Sequence, residues 1–559
     1  MDIIRDRIDL VQKLAQSVER QLQRQLDQHV LGPMGLNASV GQFALAVGVS
    51  TTVAYSVARY IVYNLYFHPT SKIPGPPVDR WIPFGGNMRE IFRDESGVPH
   101  KRWTKKYGGV LLYHGPWNNP RVLVTDPAVL KEILTTHVYD YVKTPETVNF
   151  LKRTLGEGLL LAEGEVHRHQ RKMLNPAFSV QTIRELTPLM AIPAVHLCEK
   201  WHKEIEGKEE PSEVIVSHGL SLATLDVIGL AGFGQDFSSV KYDGTEKSNK
   251  LSSAYLAIFD PDRGFGLMQF LSFFFPLLRK VPTKKNLELA QAIRWLDEES
   301  EAVVLRGMDN AKQMKHNSVL GLMIKSSEEQ GMSPSVKDLQ NQCLTFLAAG
   351  HETTSTSLSW CLWLLAQHQD IQDALRDEVK PLFENLDVSH DIFTKDPLDH
   401  SNISTANIPT YDAINSIKLL DNVCRETMRV LPPVPVTNRI STKDGVLGGY
   451  FVPKGTPIFL SLISNLHSKA IWGEDAEEFR PSRWDEETAS RVSPYEYAPF
   501  LAGNRQCIGN RFAMIEMKIL LAILITKFQF FEKPGFTPKK RQTITLRPAP
   551  NMPLLLKPL

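Results

Sequence analysis

Phe500-Leu501-Ala502-Gly503-Asn504-Arg505-Gln506-Cys507-Ile508-Gly509, running into Asn510-Arg511-Phe512-Ala513, puts one cysteine in a glycine-flanked loop just before a strongly periodic helical segment. A thiolate at Cys507 would lie at a helix N-terminus, where unpaired backbone N–H groups and the helix dipole favour negative charge. The same features lower a thiol pKa. Gly503 and Gly509 let the backbone turn sharply and approach a flat, bulky group without a Cβ in the way. Arg505 supplies a fixed cation able to pair with a carboxylate. Taken singly, Cys507 reads as a ligand or, equally, as a small buried hydrophobe.

Other segments bear on that choice. Ser333 followed by Pro334 is a helix start, a hydroxyl cap and then proline at the first helical position. The helix runs on through Leu339, Cys343, Phe346 and Leu347 to Ala349-Gly350-His351-Glu352-Thr353-Thr354. A mid-helix glycine costs about 1 kcal/mol relative to alanine, and paired threonines are poor helix formers, so the helix centre is locally unfavourable where function is expected. Gly350 leaves room for a small ligand, a threonine hydroxyl both donates and accepts hydrogen bonds, and Glu352 can relay protons. A helix kink with a satisfied hydroxyl explains the same residues. Glu426 and Arg429 share a helix face at i, i+3, which alone describes a common surface ion pair. They precede Leu431-Pro432-Pro433 and Phe479-Arg480-Pro481-Ser482-Arg483-Trp484. His167 and His169 form a His-x-His pair with no third ligand suitably spaced, so they read as helix residues rather than a metal site.

The full spacing Phe-x-x-Gly-x-Arg-x-Cys-x-Gly resembles the haem-binding loop of the cytochrome P450 family, and the other segments resemble further signatures of that family in the same order over residues 68–559. The resemblance implies a mainly α fold with a small β-sheet subdomain and haem b as cofactor. Cys507 would then be the metal ligand, an axial thiolate that favours O–O cleavage. Phe500, Gly503 and Gly509 would shape the haem loop. Thr353 would hydrogen-bond the dioxygen being activated and Glu352 would help deliver protons. Arg505, Arg171 and Arg439 would meet the two haem propionates. His167 stands where the family often has tryptophan, a departure that changes what that position can donate. Glu426, Arg429 and Arg483 would form a structural triad. Arg168, Lys172 and Lys518 would contribute a basic face for an electron donor.

The implied reaction is insertion of one oxygen atom from O2 into an apolar small molecule, a hydroxylation or epoxidation of a lipid-like or secondary-metabolite substrate. Electrons would come from NADPH–cytochrome P450 reductase, with cytochrome b5 as an auxiliary donor. A peroxide isomerase or dehydratase is the alternative within haem-thiolate chemistry, and the Glu352-Thr353 pair argues against it. A haem sensor without turnover is the alternative outside it. Candidate pocket residues are Phe150, Leu151, Phe346 to Ala349, Val434 to Thr437, Thr543 and Ile544.

A net charge of +1 with 22% charged residues argues against a nucleic-acid binder. Five widely spaced cysteines (198, 343, 361, 424 and 507) without a Cys-x-x-Cys pair argue against a disulfide framework or a structural zinc site and fit a reducing compartment. Residues 1–40 carry Ile4, Ile8, Val11, Val18, Leu22 and Leu26 at helical spacing and predict an amphipathic extension. Residues 41–67 have the length of a bilayer span and end in a tyrosine cluster suited to the interface, although Arg59 must snorkel. Residues 68–80, with Ile73-Pro74-Gly75-Pro76-Pro77, predict a rigid hinge, and 81–559 the catalytic domain. The expected location is the endoplasmic reticulum membrane, single-pass, with the body in the cytosol. Phe270 to Leu278 is too short to span a bilayer. It reads as a buried helix or, by the resemblance, as a membrane-dipping loop that admits substrate.

Overall fold

Two helices enclosed by protein along most of their length form the centre of the molecule. The computed structural model describes residues 47–79, 84–241, 250–259, 276–312, 318–329, 331, 334–383, 386, 408–542 and 544–559. The central helix, Val336–Gln367, is 32 residues long. It packs against Val216–Val227, Lys284–Lys312 and the C-terminal helix Asn510–Lys527. The C-terminal helix is buried almost continuously from Ile515 to Ile525. Together with Val180–Ile205 they make one apolar core.

The central helix starts two residues later than its sequence predicts. Ser335 is the cap, its hydroxyl accepting from the Asp338 N–H while the Asp338 carboxylate accepts from the Ser335 N–H. This reciprocal capping box satisfies two orphan donors, and it displaces the expected cap at Ser333, which lies outside the described residues. Pro334 therefore precedes the cap instead of opening the helix.

The predicted small sheet is present. Its five strands run in the order Val110–His114, Pro120–Val124, Pro457–Ser461, Val436–Ser441 and Tyr141–Val142. All pairings are antiparallel except Pro120–Val124 with Pro457–Ser461, which is parallel. The strand Val110–His114 is buried on both faces, which explains its continuous apolar run in place of strict alternation. A second sheet joins Ser212–Ile215, Pro553–Pro558 and Phe528–Glu532.

Residues 47–67 are helical, and Val47, Val49, Val53, Tyr55, Tyr66 and Phe67 are exposed along them. Among the described residues one helical stretch is long and apolar enough to cross a membrane, Val216–Phe233, and most of it is buried inside the body as a core helix. The expected extension 1–40 and the first residues of the expected anchor lie outside the described residues. So does the stretch Phe270–Leu278 up to residue 275; its remainder belongs to a short 3-10 turn, Pro276–Lys280, on which Leu277 is exposed.

Candidate active site around Cys507

The cysteine loop is built by tight backbone approaches. Leu501 takes a left-handed φ of 58° and Gly503 one of 64°. A Cβ on Gly503 would stand 2.1 Å from Thr135 Oγ1 and 2.4 Å from the Leu134 carbonyl, so no side chain fits there. The Cys507 N–H donates to the Phe500 carbonyl at 2.8 Å, closing the loop. Gly509 caps the C-terminal helix, and its N–H reaches the Cys507 sulfur.

Cys507 is the exposed one of the five cysteines; the other four are buried. The residue is accessible yet walled by protein, and that desolvation pushes its thiol above the ordinary value, while the Gly509 N–H and the Arg171 guanidinium pull it down. The lowered pKa expected from the helix terminus is thus overturned in the polypeptide by itself, because desolvation is the larger effect. Coordination to a metal deprotonates a thiol outright.

Beside this loop lies a cluster of cations. Arg505 donates to the Ala162 carbonyl at 2.7 Å and pairs with the Glu163 carboxylate. Its Nε is buried and, among the described residues, without a hydrogen-bond partner. Arg439 is buried and donates to the Asn438 carbonyl at 2.6 Å; burial pushes its pKa down to about 10, with the Arg505 charge adding to the effect. Arg171 donates to the Gln506 carbonyl, inside the cysteine loop. Lys143, which the motif reading missed, joins them. Its pKa is pushed down to about 7, by burial first and by Arg439 second, and its Nζ lies 3.6 Å from Glu163. It sits in an apolar-looking strand end with no motif around it, so only the fold reveals it.

His167 is buried among these cations and donates to or accepts from the Tyr139 hydroxyl at 3.1 Å. Burial and the charges of Arg505, Lys143, Arg171 and Arg439 push it down to about 3, so it is a neutral imidazole. Four cations therefore converge with one carboxylate, Glu163. Lys143 being only partly charged near neutral pH, two further carboxylates would bring the cluster to between zero and +1 and give the Arg505 Nε an acceptor. A haem, with two propionates, meets that requirement, so the residues present fit the group.

Across from the loop stands the central helix. Phe346 packs on Phe178 with ring centroids 5.4 Å apart, and Phe178 in turn lies against Gly509. Ala349, Gly350 and Thr353 follow Phe346 at i+3, i+4 and i+7, one helix face, and they are half-buried in a helix otherwise enclosed. Thr353 is thereby on the Cys507 side. Its hydroxyl donates to the Ala349 carbonyl at 2.8 Å. A Cβ on Gly350 would stand 3.2 Å from the Ile228 side chain, so the glycine also lets that neighbouring helix approach closely.

Glu352 faces elsewhere. One residue from Thr353 is a turn of about 100° on a helix, and its carboxylate is held by both arms of Arg547 and by the Thr545 hydroxyl at 2.5 Å. A cavity of about 490 Å³ adjoins this pair, lined by Ser217, Ser221, Ser355, Thr356, Ser359 and Arg547. The helix thus turns Thr353 toward the cysteine-loop side and Glu352 toward Arg547, which lines the hydroxyl-rich cavity.

The scaffold below is a buried ion network. Arg429 bonds both oxygens of Glu426 at 2.9 Å. Arg483 Nε and Trp484 Nε1 reach the same carboxylate at 2.8 and 3.0 Å. This is the grouping of Glu426, Arg429 and Arg483 that the sequence pattern implied. Of the basic residues expected on one face, Arg168 and Lys172 are exposed. Lys518 is not. It is buried and bonded to Asp421 at 2.8 Å and Asn415 at 2.6 Å, so it leaves that face. Leu347 and Ala348, proposed for the pocket, are packed into the core. Thr543 lies outside the described residues.

A cytochrome P450 family model matches residues 76–555. The chain belongs to the cytochrome P450 family. It is 36% identical to cytochrome P450 monooxygenase 205 of Postia placenta, over 93% of this chain and 97% of that protein. It is 32% identical to cytochrome P450 monooxygenase sphH of Aspergillus fumigatus, over 89% and 90% of the two chains. A plant relative, cytokinin hydroxylase of Arabidopsis thaliana, is 30% identical over 83% of each. As a cytochrome P450 monooxygenase the protein is a haem-thiolate oxidoreductase that uses O2 and a redox partner on a small molecule. Eukaryotic cytochromes P450 of this kind are commonly membrane-associated.

Proposed function

We propose that this cytochrome P450 hydroxylates or epoxidises an apolar, lipid-like or secondary-metabolite molecule, with electrons from NADPH–cytochrome P450 reductase and cytochrome b5 as an auxiliary donor. In this reading residues 41–67 anchor it in the endoplasmic reticulum membrane and the body faces the cytosol. The observation that carries the site assignment is the imbalance of four cations against Glu163 beside an accessible Cys507.

Haem, when bound, supplies the iron chemistry that activates dioxygen. Cys507 would provide the axial thiolate. Arg505, Arg439, Arg171 and Lys143 would hold the propionates, with neutral His167 adding a hydrogen bond in place of the tryptophan found in many relatives. Phe500, Gly503 and Gly509 would shape the loop that faces the group, with the Gly503 backbone packed against Leu134 and Thr135. The Thr353 hydroxyl donates its hydrogen bond to Ala349 O, so toward the site its oxygen would act as a hydrogen-bond acceptor that positions a water or another donor. Glu352 would serve as the acid on the cavity side, reaching solvent-derived protons past Arg547. The relatives' names share a monooxygenase or hydroxylase reaction and no single substrate, which supports the reaction class alone.

The deciding experiment is turnover by the haem-loaded protein with reductase. NADPH consumption coupled to an oxygenated product is expected; conversion of a hydroperoxide with no reductase-dependent product would overturn the reading. Thr353→Ala is expected to keep consuming NADPH while hydrogen peroxide replaces product, and Thr353→Ser to restore coupling, since the hydroxyl is what acts. Equal product per NADPH in native protein and Thr353→Ala would remove the residue from the oxygen chemistry.

A further inference from the structure

The end of the helix over residues 47–67 is joined to the body by more than its chain connection. Asn64, 1% exposed in an otherwise accessible helix, donates from Nδ2 to the Trp117 carbonyl at 3.2 Å. Arg59, from the turn before, bonds the Asn64 side chain and lies over the Tyr60 and Tyr63 rings. Trp117 and Asn118 both have left-handed backbones, with φ of 61° and 51°. Two adjacent non-glycine residues in that region are strained and persist only where their surroundings hold them. Here the Trp117 N–H donates to Phe84 O at 2.6 Å and the Gly86 N–H to Asn118 Oδ1 at 3.1 Å. The outcome is an indole set between Tyr60 and Phe84, with centroids 5.8 and 5.9 Å away, that is still 46% exposed.

The proline stretch is not a swinging spacer. The Leu112 N–H donates to Pro74 O at 2.8 Å, and Gly75 lies so close to that strand that a Cβ would collide with Leu112 O. If residues 41–67 cross the bilayer, roughly twenty residues cover its ~30 Å of hydrocarbon, which brings the helix out near Tyr60. Trp117, packed on Tyr60, then falls at the boundary of headgroups and acyl chains, where amphipathic rings of tryptophan and tyrosine are favoured.

We propose that the Trp117 turn is a contact for the phospholipid interface, clamped to the helix end through Asn64, so that the body rides on the membrane at one fixed tilt. The proposal rests on the reading of residues 41–67 as an anchor. It is tested with the full-length haem-loaded protein in phosphatidylcholine vesicles brominated near the headgroup. Trp117→Phe is expected to remove at least half of the bromolipid-quenchable tryptophan fluorescence; undiminished quenching would overturn the interfacial assignment. Asn64→Leu is expected to stay in the membrane through alkaline carbonate washing, yet to broaden the haem tilt seen by polarised absorption in oriented bilayers. An unchanged tilt would overturn the clamp. Release of the native protein by carbonate would instead refute the anchor itself, so the two failures are separable. Retention of the ferrous–CO spectrum shows that each variant is folded.

Discussion

Cys507→Ala is expected to lose the thiolate-type absorption of the ferrous–CO complex and to retain less than about one thousandth of native turnover, the scale of loss when a group the chemistry depends on is removed. The accessible position of Cys507 sharpens the test. A cysteine serving as core packing would cost stability when truncated, as the four enclosed cysteines should. Truncation at an exposed loop position removes little packing, so the haem-free chain is expected to unfold within about 0.5 kcal/mol of native. Loss of the spectrum with unchanged haem-free stability identifies a ligand. A native-like spectrum in the alanine variant would refute the assignment, and a large loss of haem-free stability would recast Cys507 as structural.

Arg429→Ala is expected to yield almost no folded, haem-loaded protein. The substitution strands the Glu426 carboxylate, fully enclosed, with Arg483 as its remaining cation. It also removes the donors to the Leu466 and Ala476 carbonyls, while Arg483 still reaches the Glu478 carbonyl. Breaking a buried pair on one side costs about 3–5 kcal/mol, and each orphaned carbonyl adds about 1–3 kcal/mol. Against a total stability of about 5–15 kcal/mol the sum is decisive. The measure is soluble yield and the midpoint of thermal unfolding, with haem content read in parallel. A variant that folds and loads normally would show that the network is dispensable. Replacing both partners by apolar residues is expected to be less harmful than replacing Arg429 alone, because it leaves no unpaired charge.

Motif spacing made the cysteine loop, the central helix and the Glu426–Arg429–Arg483 network legible in the sequence, because each is local or carries unusual residues at fixed intervals. What the sequence hid is tertiary. Lys143 has no motif, and its importance comes from strands that bring it against Glu163 and Arg439. The restraint of Glu352 by Arg547 links residues 195 apart in the chain, and no periodicity encodes such a pair. Lys518 looked like a surface charge, but it lies on a helix buried on all sides and is tolerated there through Asp421 and Asn415. The shift from Ser333 to Ser335 arose because two serines in a row of candidates can cap, and the choice fell to the one with an acid three residues on. The sign of the Cys507 shift depended on desolvation, which only packing determines.

The crowd of cations beside the cysteine loop has a consequence for the life of the protein in the cell. Lys143, Arg171, Arg439 and Arg505 repel one another until carboxylates join Glu163, so the chain alone is frustrated at that spot. Its cofactor then acts as a ligand of the folded state, adding stability in proportion to the logarithm of its concentration. Where a marginal change in stability alters steady-state abundance several-fold, haem supply would govern how much of this protein survives quality control. Cells short of haem should degrade the newly made chain, with no transcriptional signal required.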